Sequence, residues 1–542
     1  MKIIDIHCHP SMKPYNNSGY RDDGNIWTGL KAIRQYFDSI PGLIRSQIQE
    51  TARDSQAHLN EFIKGNIISA FIVIHPVERG WFARNTRKEH RIVKWLIKRL
   101  LSEQKLQYLG ASLTGSPLKK IEGIFRRINN NEGIDYYTKE SFNEYKFLKD
   151  NQHLHGPWGF SYEIVNNYDA YKSVIAKGKV IPVILTIEGG HALTHVSSGD
   201  YFSMEYEQLP DTFKSKLKND LKTNIGRLKG NGKENVFDSG HTPFFVTLSH
   251  MYNNFLAGHA KTYGRYVEDL LDQVPALDEG ITEAGWLAID KLLSKENGQR
   301  ILIDVKHLST AARLQYYDFI KNKREEEHDP VPIIASHAAM NGFEHNDLNR
   351  EDTHMLESDA WFSRWSINLT NDDIKTIHES DGLIGVVIHE GRMPGKKAKK
   401  LFCKLKKHIR KGGKDTHIYQ EQLKNAYLKL ILGNLFQVAV TINSRKAWEH
   451  ICIGSDYDGI MDPFDIYKTS SAFQDMMTDI QNYLMNPGFD LIVYRNDVES
   501  VLRASEIPDY YFGYSPLEIV EHIAHKNAEN FLSRYFTTAY LK

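Results

Sequence analysis

Short apolar runs of five to nine residues recur along the chain, and each ends in a residue that can bind a metal or move a proton. The first, in MKIIDIHCHP, carries Ile3, Ile4 and Ile6 up to His7 and His9. Residues i and i+2 of a strand point to the same side, so both imidazoles of this pair can face one ion. IISAFIVIH follows at 67–75, then VIPVILTIEGGH, whose apolar part ends at Glu188 before Gly189 and Gly190. Paired glycines after a strand permit a tight turn close to a ligand. PFFVTLSH ends at His250, ILIDVKH at His307, VPIIASH at His337 and GLIGVVIH at His389, and HICIGSDYDG carries Asp456 and Asp458. Near-continuous apolarity is the mark of parallel strands buried on both faces.

Between most of these runs the pattern is helical. In GITEAGWLAIDKLL, Thr282 is placed to cap a helix that buries Trp286, Ile289 and Leu292 or Leu293. Residues 29–37 and the basic segment 88–101 also read as helical, and SPLEIVEHIAHKNAENFLSRYF closes the chain as an amphipathic helix. Eight strands alternating with helices predict an α/β fold, a (β/α)8 TIM barrel whose active site lies at the carboxyl ends of the strands. The expected organisation is one metal-dependent hydrolase barrel over 1–542, with insertions at about 80–175, 198–240, 343–366, 391–447 and 461–514. The cationic run PGKKAKKLFCKLKKHIRKGGK reads as the solvated face of an inserted helical hairpin, with Leu401, Leu405 and Ile409 turned inward.

Composition removes several classes of function. Lys and Arg total 68, as do Asp and Glu, so no overall field calls for nucleic acid or an anionic membrane. Three scattered cysteines, Cys8, Cys403 and Cys452, make no disulfide framework and favour a reducing compartment. The apolar runs fall short of the roughly 20 residues that span a bilayer. The chain enters a strand almost at once, which leaves no room for a signal peptide, so the cytoplasm is the expected location. No partner beyond a small-molecule substrate is called for, and a homodimer is left open.

Taken together, His7, His9, Glu188, His250, His307, His337 and Asp456 are imidazoles and carboxylates presented by rigid strands, a ligand set that suits zinc or a similar ion. Five or more converging ligands make two metal ions plausible. A carboxylate such as Glu188 can bridge two cations, and two ions roughly 3.5 to 4 Å apart can hold a hydroxide between them and polarise a carbonyl. Asp456 is suited to take the proton of that water and pass it to a leaving amine. Any one of these residues alone is equally a structural group, and Asp458 reads as a turn residue bonding backbone amides. Independent structural histidines, however, have no reason to gather at the same end of successive strands.

The motifs IEGGHAL, LSHMYNN, GITEAGWLAIDKLL, IDVKHLS, PIIASHAA, INLTNDDIKTI and CIGSDYDGI, in this order, resemble the membrane dipeptidase (renal dipeptidase) family of metallopeptidases, within the amidohydrolase-type barrels. The resemblance implies that Glu188 bridges two zinc ions, that His307 and His337 ligate one, and that His7 and His9 ligate the other. It further implies that His250 contacts the substrate carbonyl or the tetrahedral intermediate and that Asp456 transfers the proton in dipeptide hydrolysis. Two departures stand out. His9 occupies a position where the family usually has Asp, which leaves the site one unit more positive. Ile367 stands where the family has an arginine that holds the substrate carboxylate, and Arg350 or Arg364 is the expected substitute. The expected activity is zinc-dependent cleavage of a dipeptide or related small amide. Hydrolysis of a lactone, cyclic amide or N-acyl amino acid, or a non-catalytic metal-binding role, are the alternatives.

Overall fold

A computed structural model describes residues 1–18, 25–31, 54–81, 102–130, 132–196, 200–230, 241–262, 271–296, 298–350 and 359–542. The expected helix at 29–37 falls mostly, and the one at 88–101 wholly, outside these residues.

Eight parallel strands close into a barrel: β1 (Ile3–Cys8), β2 (Ile67–Ile74), β3 (Val180–Glu188), β4 (Phe245–Thr247), β5 (Leu302–Asp304), β6 (Ile334–Ala338), β7 (Leu383–Val386) and β8 (Ile451–Ile453). Neighbours in the chain are neighbours in the barrel. Ala70 to Ile74 pair in register with Val183 to Ile187, and Phe245 to Thr247 with Leu302 to Asp304. Asp5 opposite Ile453 joins β8 to β1 and completes the ring. Burial on both faces explains why β1 reads as apolar throughout, since all six of its residues are buried.

All eight strands therefore lie where the apolar runs predict them. An additional strand, Ser161–Val165, lies within the stretch expected to be an insertion and pairs in parallel with the start of β3, Ser161 opposite Val180. It lengthens the sheet beside the barrel without entering the ring.

Helices cover the outside. Thr282 caps α1 (Glu283–Leu293) as predicted, its side chain accepting from the Gly285 amide. Ile289, Leu292 and Leu293 are buried, whereas Trp286 is only half-buried, its ring 5.3 Å from that of Phe319. The cationic run forms α2 (Lys396–Lys411), which buries Ala398, Phe402 and Leu405. Leu401, expected to face inward, is exposed because the buried stripe runs through Phe402 instead.

The next helix, α3 (Thr416–Ile442), is long and apolar enough to cross a membrane by length and composition. In the fold, 72% of its most apolar window is buried inside the protein. Its polar side chains confirm a core role: Gln437 exchanges hydrogen bonds with the Tyr494 backbone at 2.7 and 2.9 Å, and Asn434 accepts from the Met340 amide at 2.8 Å. A helix enclosed on most sides needs apolar residues on most sides.

The predicted C-terminal helix forms from Pro516 to Tyr535 with one wider turn, His522–Lys526, in its middle. Ser515 and Glu518 cap it reciprocally, and Asn527 donates to the carbonyls of Trp448 and Ile451, which ties the helix to β8.

Candidate metal centre

The strand-end residues meet at the carboxyl mouth of the barrel, around the carboxylate of Glu188. Its Oε1 lies 3.4 Å from His7 Nε2, 3.3 Å from His307 Nε2 and 3.4 Å from His337 Nε2. Its Oε2 lies 3.4 Å from His9 Nε2 and 3.7 Å from His250 Nε2. The nitrogens also crowd one another in pairs, His7 with His9 at 3.3 Å and His307 with His337 at 3.1 Å. All six side chains are buried.

Backbone conformation helps to deliver them. Gly189 follows Glu188 with φ of +92°, and a Cβ there would meet the His191 ring at 2.3 Å. His307 and Asp456 themselves adopt left-handed backbone, φ +68° and +59°. Such strain in non-glycine residues costs free energy and persists where surrounding structure enforces it, often at functional sites.

A layer of carboxylates beneath the mouth fixes the histidines. Asp304 accepts from Ser336 Oγ at 2.6 Å. Ser336 thereby spends its only proton, so its contact at 2.9 Å with His337 Nδ1 is donated by the ring, and Nε2 is left as a lone pair facing the cluster. Asp5 accepts from the His7 amide and from Ser455 in the same way. Asp5 is pushed up to about 6 by burial, which the hydrogen bonds from Ser455 only partly offset.

At His307 and His337 the electrostatics favour neutral imidazoles against a charged Glu188. Burial and the neighbouring His250 and His7 hold His307 and His337 well below the usual histidine range. Burial opposes ionisation of Glu188, but His250, His7 and the surrounding hydrogen bonds outweigh it and hold its pKa well below the carboxylate range. Among the described residues Glu188 Oε1 has no hydrogen-bond partner beyond the long approaches of His7, His307 and His337, and Nδ1 of His7, His9 and His307 has none. Three nitrogens crowding one buried, unpartnered carboxylate oxygen is the arrangement that divalent ions complete. Three triads with ligand spacing share Glu188: His7 and His9, His307 and His337, and His75 and His250, each with Glu188.

Asp456 stands at the open side, 3.4 Å from His9 Nε2 and 4.0 Å from His7 Nε2, and is the most exposed member at 18%. Asp458 instead accepts from the amides of Gln56 and Ala57 and pairs with Lys13 at 2.7 Å. Its role is structural, as expected, although the amides belong to another segment rather than to its own turn.

Several residues join the cluster that sequence reasoning passed over as site residues. His75, at the end of β2, donates Nδ1–H to the Glu188 carbonyl at 3.0 Å and lies 3.5 Å from its Oε2. Its position after an apolar run carried the same signal as the other histidines. Glu78 accepts from His250 Nδ1 at 2.5 Å, and Lys306 is buried immediately before His307; no pattern marks either.

Arg350 and Arg364 are engaged elsewhere. Both guanidinium groups stack on the ring of Phe343, at 3.4 and 3.5 Å. Arg350 donates to the His345 carbonyl, and Arg364 to the carbonyls of Asn341 and Asp497.

No protein-family model and no curated protein matches the chain by sequence. Similarities to solved structures run at low identity. A dipeptidase described as a metallopeptidase of family M19 aligns at 11% identity over 99% of both chains with a TM-score of 0.46. A metallopeptidase from Rhodobacter sphaeroides, liganded with a phosphinate mimic of L-Ala-D-Ala, aligns at 11% identity over 98% of this chain and 99% of that one, TM-score 0.46. The probable dipeptidase PvdM from Pseudomonas aeruginosa aligns at 14% identity over 88% of each, TM-score 0.44.

Proposed function

We propose that this chain is a metal-dependent hydrolase that cleaves the amide bond of a dipeptide or related small amide. The observation that carries the reading is the convergence of five imidazoles on the two oxygens of Glu188 with Asp456 beside them. His7, His9 and Glu188 would hold one divalent ion, and Glu188, His307 and His337 the other; we read both as zinc. Bound there, the ions would supply Lewis acidity toward a carbonyl and acidify water.

The chain's own groups supply the rest. Asp456, partly exposed at the mouth, is placed to accept a proton on Oδ1 and return it to the nitrogen of the leaving amine. His250 is held by Glu78 with Nε2 turned toward the cluster. Burial works against a charged His250 ring, but Glu78 and Glu188 outweigh it and raise its pKa, so Nε2–H can donate to an oxygen that gains negative charge.

The resemblance of the motifs to the membrane dipeptidase family supports a dipeptide as substrate. The His7-Cys8-His9 pattern and Ile367 favour a second reading within the same chemistry, hydrolysis of a lactone, cyclic amide or N-acyl amino acid. Zinc-loaded protein assayed against L-L and L-D dipeptides beside these other substrates separates the two. Turnover of dipeptides is expected; silence on every dipeptide with turnover of another class would replace the first reading by the second.

A further inference from the structure

The chain carries 68 basic and 68 acidic residues, yet the charge is not evenly spread. The sixteen residues of α2 contain eight lysines, one arginine and no carboxylate. One face of the helix, with Ala398, Phe402 and Leu405, is buried. At about 3.6 residues per turn, Lys400, Lys404, Lys407 and Lys411 fall on the opposite face, and all four are exposed. Spaced four, three and four residues apart, they stand side by side in a row about 16 Å long.

Little inside the molecule answers that charge. Lys400 pairs with Asp359 at 3.0 Å, but the two side chains are 63% and 64% exposed, so the pair is weak. Among the described residues Lys404, Lys407 and Lys411 make no ion pair, and neither do the exposed Arg410 and Lys414 next to them. Like charges three or four residues apart destabilise a helix, and Lys396 and Lys397 in its first turn oppose its dipole. The helix cannot turn to relieve this. Phe402 packs on Tyr427 of α3 with the rings 4.8 Å apart, and the His408 ring stacks on Tyr419 at 4.5 Å. Lys406 anchors it to the loops after β7 and β8 through Glu390 and Asp465, at 2.7 and 2.8 Å. The row is therefore held outward on a fixed scaffold.

The side chains around the row select the partner. Its charge comes from lysines, which lack the planar fork that grips phosphate and base edges in two places. The exposed side chains of α2 include no aromatic ring on which a base could stack. Leu401 on α2 and Ile418 at the start of α3 are instead exposed apolar groups, at 36% and 44%. Clustered lysines on an amphipathic helix, with apolar side chains among them, suit a bilayer surface rich in anionic lipid.

We propose that α2 is a docking face for a bilayer surface carrying anionic phospholipid, engaged through Lys400, Lys404, Lys407 and Lys411. The contact is peripheral, since the apolar face of α2 stays packed on α3. It goes beyond the hydrolase reading and does not depend on it.

The test is sedimentation of the full chain with vesicles of phosphatidylcholine alone and of phosphatidylcholine mixed with phosphatidylserine. Binding to the mixed vesicles only is expected, and it should weaken as salt is raised. The combined variant Lys400→Gln, Lys404→Gln, Lys407→Gln and Lys411→Gln should bind at least about a hundredfold more weakly, with its melting temperature unchanged. Should that variant fail to fold, Lys404→Glu alone becomes the deciding variant, with a loss of roughly fivefold or more expected. Absence of binding to the mixed vesicles, equal binding to both kinds, or a folded variant that binds as the wild type does overturns the proposal. A duplex oligonucleotide that binds the wild type more tightly than the vesicles do, and loses affinity in the same variant, also overturns it and assigns the row to nucleic acid.

Discussion

His250 Nδ1 lies 2.5 Å from Glu78 Oε2, with both side chains buried and the opposite ring nitrogen 3.7 Å from Glu188. A carboxylate accepts only, so Nδ1 carries the proton and the orientation of Nε2 is fixed. Burial alone would raise the pKa of Glu78, but the rings of His250, His191 and His75 bring it down to about 2, so it is charged at neutral pH. Glu78 is thus a positioning residue for His250. Glu78→Gln is expected to lower kcat/KM about 10- to 100-fold, the range found when supports of this kind are lost, with zinc content unchanged. Steady-state kinetics with metal analysis checks this. Activity within twofold of wild type would remove the role.

Removal of metal should destabilise the fold. Three Nε2 atoms within 3.4 Å of an unpartnered Glu188 oxygen are held together at a cost that bound cations offset. A ligand present at 100 times its Kd stabilises the state that binds it by about 2.7 kcal/mol. Thermal unfolding after chelation should therefore shift to lower temperature and recover on adding zinc. Two ions per chain are expected by elemental analysis, falling below one in Glu188→Gln. An unchanged melting temperature together with less than one ion after zinc loading would discard the centre.

Asp456 reaches the histidines but is not needed to satisfy either ligand triad. Asp456→Asn keeps the size and removes the proton acceptor. Turnover should fall by roughly 10²- to 10⁴-fold, the usual contribution of a positioned acid or base, while the zinc content stays near wild type. Undiminished turnover would transfer the proton to another group.

The barrel and the side-chain cluster at its mouth were readable because they follow from periodicity. A strand buried on both faces is apolar throughout, and the residue at its carboxyl end lies at the mouth whatever the loops do. All eight strands and the clustering of His7, His9, Glu188, His250, His307, His337 and Asp456 rest on that rule. Lys306 shows where the rule stops. Strict alternation would turn Lys306 and His307 to opposite sides, and with the left-handed φ of His307 its ring meets Glu188 while the Lys306 side chain is also buried, its ammonium 3.4 Å from the Ile367 carbonyl. Backbone strain of this kind leaves no trace in a hydrophobic pattern. Glu78 was invisible for a different reason: its partner His250 is 172 residues away, and only the closed ring brings the loops after β2 and β4 together. Arg350 and Arg364 illustrate the converse. Their charge and loop position qualified them, but their stacking on Phe343 depends on tertiary packing that no local window contains.

Away from the centre, Glu61 gives the fold a dependence on acid. It accepts from Lys64 and Thr469, each at 2.6 Å, and from Ser471, and so clasps the helix Leu59–Lys64 to the segment that follows β8. Burial raises its pKa, but the hydrogen bonds from Lys64, Ser471 and Thr469 prevail and lower it from 4.5 to about 2. The native state therefore favours the charged form. Its stabilising contribution is complete above pH 4.5 and is lost as the pH falls toward 2, because the unfolded chain takes up the proton first. Glu61→Gln cannot titrate, so the gap in melting temperature between wild type and variant should be widest near pH 6 and should narrow steadily through pH 4.5 and 3. Lys64 is exposed and its ion pair is correspondingly weak, so most of the gap should survive added salt, carried by the two hydroxyl donors. A gap that is independent of pH would show that the Glu61 charge contributes nothing to the clasp.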